Sequence, residues 1–196
     1  MQAKEKLNLA RVQIMLVDDN VQSLDILAQI VSGFGARNLF RCVSAAEARD
    51  TLERHTVDMI LFDAQMPEES GYDFAHWVRW QAPEKIKFTP MIMLTGHTPQ
   101  SQVTHARDNG INFVVTKPLV PRILLERIQW LAKDERQYVQ CETYVGPDRR
   151  FKRLGPPYGV DGRRHDDLKG SVGMAREANR SQEEIDALMM PAKVAL

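Results

Sequence analysis

The sequence predicts a doubly wound α/β domain. Five parallel strands form a sheet covered by helices on both faces, and a largely disordered C-terminal tail follows. Three observations lead there. Short apolar runs at 12–17, 39–43, 57–62, 90–94 and 113–116 alternate with helical patterns. The runs are continuously apolar, as strands buried on both faces are, rather than alternating. Strand–helix alternation also leaves right-handed crossovers as the only workable connections between parallel neighbours.

Each element has its own signal. Residues 1–11 are polar and read as an N-terminal extension. The first strand ends at Asp18, Asp19 and Asn20. The helix after it places Val21, Leu24, Leu27, Ile30 and Val31 on one face and stops at Gly33 and Gly35. Ser44, with Glu47 three residues on, forms a capping box for a second helix reaching about His55. In the third strand Met59, Ile60, Leu61 and Phe62 run straight into Asp63. A helix over 71–81 precedes Pro83. The fourth strand ends at Thr95 and Gly96, and a helix over 99–109 closes at Gly110. The fifth strand ends at Lys117 and Pro118. A last helix, 123–133, turns Ile123, Leu124, Ile128 and Leu131 inward, so the domain spans 12–135.

From Cys141 the composition changes. Residues 142–170 hold three Pro, five Gly and five Arg with few aliphatics, and no period survives, which predicts disorder in the free chain. Residues 171–196 read as a flexible tail with one short helix. Ser181 and Glu184 make a second capping box, and Ile185, Leu188 and Met189 share a face for docking on the domain itself or on a partner.

Charge and cysteine usage bound the function. The chain carries 26 basic and 26 acidic side chains, and 142–170 carries seven against five. Bulk attraction to DNA or an anionic membrane is therefore not expected. Cys42 and Cys141 read as free thiols of a reducing cytosol. Residues 1–10 are too polar for a signal peptide, and no apolar run reaches the ~20 residues of a membrane helix. A cytoplasmic protein without direct membrane insertion is expected.

Asp18, Asp19, Asp63, Thr95 and Lys117 all fall at or just past strand C-termini. That is where open α/β sheets bind ligands. Three carboxylates there cannot all ionise cheaply without a cation, and a hard divalent ion, Mg²⁺, answers the repulsion. Lys117 adds a positive charge, and the Thr95 hydroxyl can donate to an added oxygen. The chemistry this suits is phosphoryl transfer to Asp63 as an acceptor carboxylate, in a protein that is not itself an enzyme.

With Met66-Pro67 and Gly71 beyond Asp63, Gly96 after Thr95 and Pro118 after Lys117, residues 12–132 resemble the receiver domain of two-component response regulators, the CheY-like class. The resemblance implies sheet order 2-1-3-4-5 and Asp63 as phosphoacceptor. It implies Mg²⁺ held by the Asp19 and Asp63 side chains and the Gln65 carbonyl, with Asp18 in the same acidic set. Lys117 would pair with the phosphoryl group and Thr95 would swing toward it. Small Gly96 leaves the acceptor approachable. One position departs from the family. The usual Tyr or Phe three residues before the Lys is Val114 here, and the adjacent Phe113 points to the opposite face of its strand. Acceptor chemistry is retained while the usual output switch is not. No DNA-binding or catalytic output domain is read after the receiver.

The segment 142–170 repeats itself. Gly146-Pro147-Asp148-Arg149-Arg150 is echoed by Gly159-Val160-Asp161-Gly162-Arg163-Arg164, which suggests a ligand with two equivalent halves. Arg stacks on bases and forks onto phosphate or the guanine O6/N7 edge, and Asp accepts from guanine N1 and N2. Asp148, Asp161, Asp166 and Asp167 would weaken a polyanion site but suit guanine. Cyclic di-GMP fits. Two guanines supply roughly 4–12 kcal/mol gross, against about 2–5 for ordering the segment and about 8 for micromolar affinity. One dinucleotide is marginal, and a stacked pair is more comfortable.

Arg149 and Arg153 satisfy the first half of a PilZ motif, but its partner half is absent. The segment instead resembles the arginine-rich extension of the CheY-like cyclic di-GMP effectors, the Cle proteins. That resemblance implies c-di-GMP contacts from Tyr144, Asp148, Arg149, Arg150, Arg153, Tyr158, Asp161, Arg163, Arg164, Asp166 and Asp167. It also implies docking on the flagellar motor switch protein, lowered motility and surface attachment, with recruitment to the motor or cell pole. Tyr144 and Tyr158 either stack on bases or anchor the segment to the domain. The alternative function is a single-domain shuttle passing phosphate through Asp63 between a histidine kinase and a phosphotransfer protein.

Overall fold

A computed structural model describes residues 8–134, 136–148 and 178–189. Its elements, in chain order, are β1 (Gln13–Val17), α1 (Val21–Gly33), β2 (Asn38–Cys42), α2 (Ala45–Arg54), β3 (Met59–Asp63), α3 (Gly71–Trp80), α4 (Glu84–Lys87), β4 (Met91–Thr95), α5 (Gln100–Asp108), β5 (Phe113–Thr116), α6 (Pro121–Leu131), β6 (Tyr138–Cys141), β7 (Tyr144–Pro147) and α7 (Gln182–Met189). The main sheet is β2-β1-β3-β4-β5, parallel throughout, as expected. Every residue of β3 and β4 is buried. These central strands therefore set the level at which their last residues, Asp63 and Thr95, emerge.

Local chemistry fixes the helix starts. The Asn20 side chain accepts from Ser23 N–H, Ser44 from Glu47 N–H and Ser70 from Asp73 N–H. Glu47 completes its box one residue early, accepting from Val43 N–H at 2.7 Å. The single turn α4 was not expected, because four residues are too few to show a period. At Gly71, the first residue of α3, an added Cβ would lie 2.4 Å from the Asp63 carbonyl oxygen. Only glycine lets α3 abut the strand end that carries Asp63.

The expectation of irregular structure from Cys141 onward fails at its start. β6 and β7 form an antiparallel hairpin, with Cys141 opposite Tyr144 and Tyr138 opposite Pro147. Gly146 and Pro147 look like breakers in sequence, but here they dock the hairpin on the domain. A Cβ on Gly146 would lie 2.7 Å from the Gly110 Cα, and one on Gly110 would lie 2.2 Å from the Val145 carbonyl oxygen. Gly110 also has φ +72, a conformation that disfavours any side chain. Gly110→Ala is therefore expected to cost about 2–4 kcal/mol, from left-handed strain plus overpacking. Urea denaturation measures the loss, and hydrogen exchange should show β6 and β7 opening before the main sheet.

α7 packs on β5 and α5. Its capping box forms as expected: Glu184 N–H donates to Ser181 Oγ, and Ser181 N–H to Glu184 Oε2. Ile185 and Met189 are buried and Leu188 is partly buried, so the helix face docks on its own domain. Cys42 is a buried free thiol, and burial pushes it up to about 11. No helix among the described residues is long and apolar enough to cross a membrane.

Candidate functional site

Asp18 and Lys117 each sit one residue beyond a strand, and Asp63 and Thr95 end theirs. The parallel sheet brings these positions together at one edge. Lys117 Nζ lies 2.9 Å from Asp18 Oδ2 and 2.5 Å from Asp63 Oδ1. The other oxygen of each carboxylate accepts a backbone N–H. Asp18 Oδ1 takes Asn20 N–H and Asp63 Oδ2 takes Gln65 N–H, both at 3.0 Å. Asp18 is 2% exposed and Asp63 7%, whereas Asp19 is exposed.

Burial pushes the Asp63 carboxyl above its ordinary range, and the hydrogen bond and charge of Lys117 pull part of that back. Burial works against the charged form of Lys117 too, but pairing with Asp63 and Asp18 outweighs it, so the ammonium is held above its usual value. One lysine is thus shared by two buried carboxylates and offsets only part of the burial cost of Asp63. The positive charge expected of Lys117 lies beside both acids. The three acids also do not close into a cluster: among the described residues no group of three or more His, Cys, Asp or Glu could hold a metal. The donors still fit Mg²⁺. Carboxylates and the Gln65 carbonyl are hard oxygen ligands, and Mg²⁺ characteristically keeps several waters beside one or two carboxylates.

Thr95 is buried, and its hydroxyl is held by its own loop. Its Oγ1 donates to the His97 carbonyl and accepts from His97 N–H, both at 3.0 Å. Gly96 leaves open space, with nothing within 4 Å of an added Cβ. Val114 is buried, and Phe113 packs edge-on against Trp130 at 5.0 Å. No large ring stands at position 114 to change its burial.

Sequence reasoning missed Thr98. It belongs to no motif, yet it ties the loop after Thr95 to the segment before α7: Thr98 N–H donates to Asn179 Oδ1 and Thr98 Oγ1 donates to the Arg180 carbonyl. Only proximity in the fold reveals it.

Of the residues assigned to the dinucleotide, Tyr144 and Asp148 are described. Tyr144 is 5% exposed, and its hydroxyl donates to the Pro147 carbonyl at 2.8 Å. Of the two roles open to it, stacking on a base or anchoring, its burial and this bond fit the anchor of the hairpin. Asp148 N–H donates to the Gln137 carbonyl. The residue lies at a cavity of about 230 Å³ also lined by Arg107, Asn112, Arg136, Leu188 and Met189. Arg149, Arg150, Arg153, Tyr158, Asp161, Arg163, Arg164, Asp166 and Asp167 lie outside the described residues.

Residues 14–129 match the response regulator receiver domain. The polar-differentiation response regulator DivK of Brucella ovis is 29% identical over 112 residues, which cover 57% of this chain and 89% of DivK. Chemotaxis protein CheY4 of Vibrio cholerae has the same fold at a TM-score of 0.56 and 26% identity, covering 60% of this chain and 96% of CheY4. The CheX–CheY–BeF3–Mg²⁺ complex from Borrelia burgdorferi, at 22% identity and a TM-score of 0.57, shows likeness of fold alone.

Proposed function

Because this chain belongs to the response regulator receiver domain family, we propose a response regulator with two inputs, a phosphoryl group on Asp63 and cyclic di-GMP on its arginine-rich segment. The observation that supports the first is the Lys117 ammonium bridging the buried Asp63 and Asp18 at adjoining strand ends. An Asp63 oxygen attacks the phosphorus of a phosphohistidine or acyl phosphate. The new P–O bond forms as the donor's P–N or P–O bond breaks, and the electron pair leaves with the donor. Lys117 transfers from the carboxylate to a phosphoryl oxygen, and Thr95 turns from His97 to donate to another. Asp18, Asp19, Asp63 and the Gln65 carbonyl would hold Mg²⁺, which supplies charge neutralisation for the phosphoryl oxygens. The donor is a histidine kinase or phosphotransfer protein, and the protein is an acceptor rather than a turnover enzyme.

The second input rests on the doubled Asp and Arg-Arg element. Its output, in this reading, is docking on the flagellar motor switch protein, which alters motility and surface attachment in a cytoplasmic protein drawn to the motor or cell pole. Titration calorimetry on the full chain tests the ligand. Cyclic di-GMP is expected to bind at micromolar concentration or tighter, about 8 kcal/mol. Arg164→Ala should weaken it about 10- to 100-fold, the worth of one bidentate guanine contact, and GTP should not compete. Absence of heat in the micromolar range removes this input and leaves the phosphorelay shuttle.

A further inference from the structure

The last strand of the main sheet does not have a free edge. On the outer side of β5, Gln182 Nε2 donates to the Val114 carbonyl and Thr116 N–H donates to Gln182 Oε1, both at 2.9 Å. A side-chain amide thus makes the pair of bonds that a neighbouring strand would make. Three further groups of α7 fix the helix there. Ile185 is fully buried, Met189 nearly so, and Asp186 pairs with Arg127, whose guanidinium lies over the Phe113 ring.

The segment leading into α7 is tied to the acceptor loop. Besides the two Thr98 bonds already described, Arg180 N–H donates to the Thr98 carbonyl at 2.8 Å and Arg180 Nη2 donates to Gln100 Oε1 at 2.7 Å. Thr98 is next to His97, whose carbonyl holds the Thr95 hydroxyl proton. That hydroxyl has one proton. It cannot donate to His97 and to a phosphoryl oxygen on Asp63 together. Turning it toward the acceptor releases the His97 carbonyl, and the next residue, Thr98, is the one that Asn179 and Arg180 grip.

α7 is eight residues long. A helix so short is not stable alone in water and owes its form to docking. It therefore has two states, docked and released, as a switch element requires. We infer that α7 is a latch over the outer edge of β5, loosened through Thr95, His97 and Thr98 when Asp63 is phosphorylated. The surface it covers takes a partner helix of the same chemistry: an amide at the first position, apolar side chains at the fourth and eighth, and a carboxylate at the fifth. This rests on the reading of Asp63 as acceptor. It deepens that reading by naming a route to output that needs no aromatic residue at position 114.

Hydrogen exchange on the full chain, with and without Mg²⁺ and beryllofluoride as the phosphoryl mimic, tests the latch. The amides of 182–189 are expected to exchange about tenfold faster when the mimic is bound, within the usual range of coupling between sites. In Thr98→Val and Asn179→Ala they should already exchange faster, with little further change. Protection appearing around Asp63 while α7 stays equally protected overturns the latch and leaves the acceptor intact. Failure of the mimic to bind overturns both. A fluorescent peptide of residues 178–189 tests the surface. It is expected to bind Ile185→Asp at least about tenfold more tightly than the unaltered chain. The milder pair Gln182→Ala and Asp186→Ala gives the same comparison if Ile185→Asp does not fold. Equal affinity for latched and unlatched chains, or no binding to either, overturns the shared surface.

Discussion

Asp63→Asn is expected to fold and to take up no label from a radiolabelled acyl phosphate, a loss of at least about 100-fold relative to the unaltered chain. The amide is nearly the shape of the carboxylate, but it is not the nucleophile that this transfer requires. Labelling at the original level would place the acceptor elsewhere. The variant should also be more stable near neutral pH. Folding raises the Asp63 pKa, so the fold disfavours its ionised form. A group raised in this way adds stability at low pH and withdraws it as pH rises from the unfolded value, 3.8, through the folded one. At neutral pH the charge is a burden that Asn lacks, and as pH falls toward 4 the advantage of Asn should shrink. Lys117 has the opposite range. Its pKa is raised from 10.5, so its contribution is complete at neutral pH and lost only above that value. The variant keeps Asp18 as a partner for it. The expected gain is about 2–4 °C in melting temperature, the response of a domain this size to about 1 kcal/mol. Melts at pH 7 and pH 4 in a chelator check it, and added Mg²⁺ should stabilise the unaltered chain more than the variant.

Arg79→Ala is expected to destabilise the domain by about 3–5 kcal/mol. Arg79 is 0% exposed. Nε and Nη2 donate to the Gly110 carbonyl at 3.0 and 2.8 Å, and Nη1 to the carbonyls of Lys87 and Thr89, both at 2.8 Å. Nη2 also reaches Asn112 Oδ1 at 3.2 Å. No carboxylate faces it among these partners. The charge is dispersed over carbonyl dipoles and lies over the Tyr138 ring at 5.2 Å. Burial lowers its pKa, with Tyr138 and Tyr144 opposing the shift. Truncation leaves a cavity and orphans three carbonyls at once, and each orphaned group costs about 1–3 kcal/mol. Arg79→Met fills the volume but leaves the carbonyls unpaired, so it should recover only part of the loss. Urea denaturation ranks the three proteins, and a loss below about 1 kcal/mol for Arg79→Ala would show that the network carries little stability.

The main sheet was legible because parallel strands buried on both faces must be apolar throughout, and their polar last residues then stand out. That is how Asp63, Thr95 and Lys117 could be gathered before any coordinates. The role of Lys117 was less legible. Which charge neutralises Asp18 depends on where a flexible side chain reaches, and sequence spacing does not record it. Arg79 reads as an ordinary solvent-facing charge in the last turn of α3, since its burial is created by Gly110, Asn112 and a hairpin that follows much later. The hairpin was hidden for a related reason. Gly146 and Pro147 are poor strand residues by propensity, and close backbone packing against Gly110 overrides propensity. For Tyr144 the sequence left stacking and anchoring equally open, because a tyrosine ring suits both and only the fold shows which surface it meets.

The cavity beside Asp148 has one wall from the β7 end and another from Leu188 and Met189 of α7. The end of the hairpin and the end of α7 therefore meet on one flank of the domain. A group that fills this cavity touches the end of β7 and α7 at once.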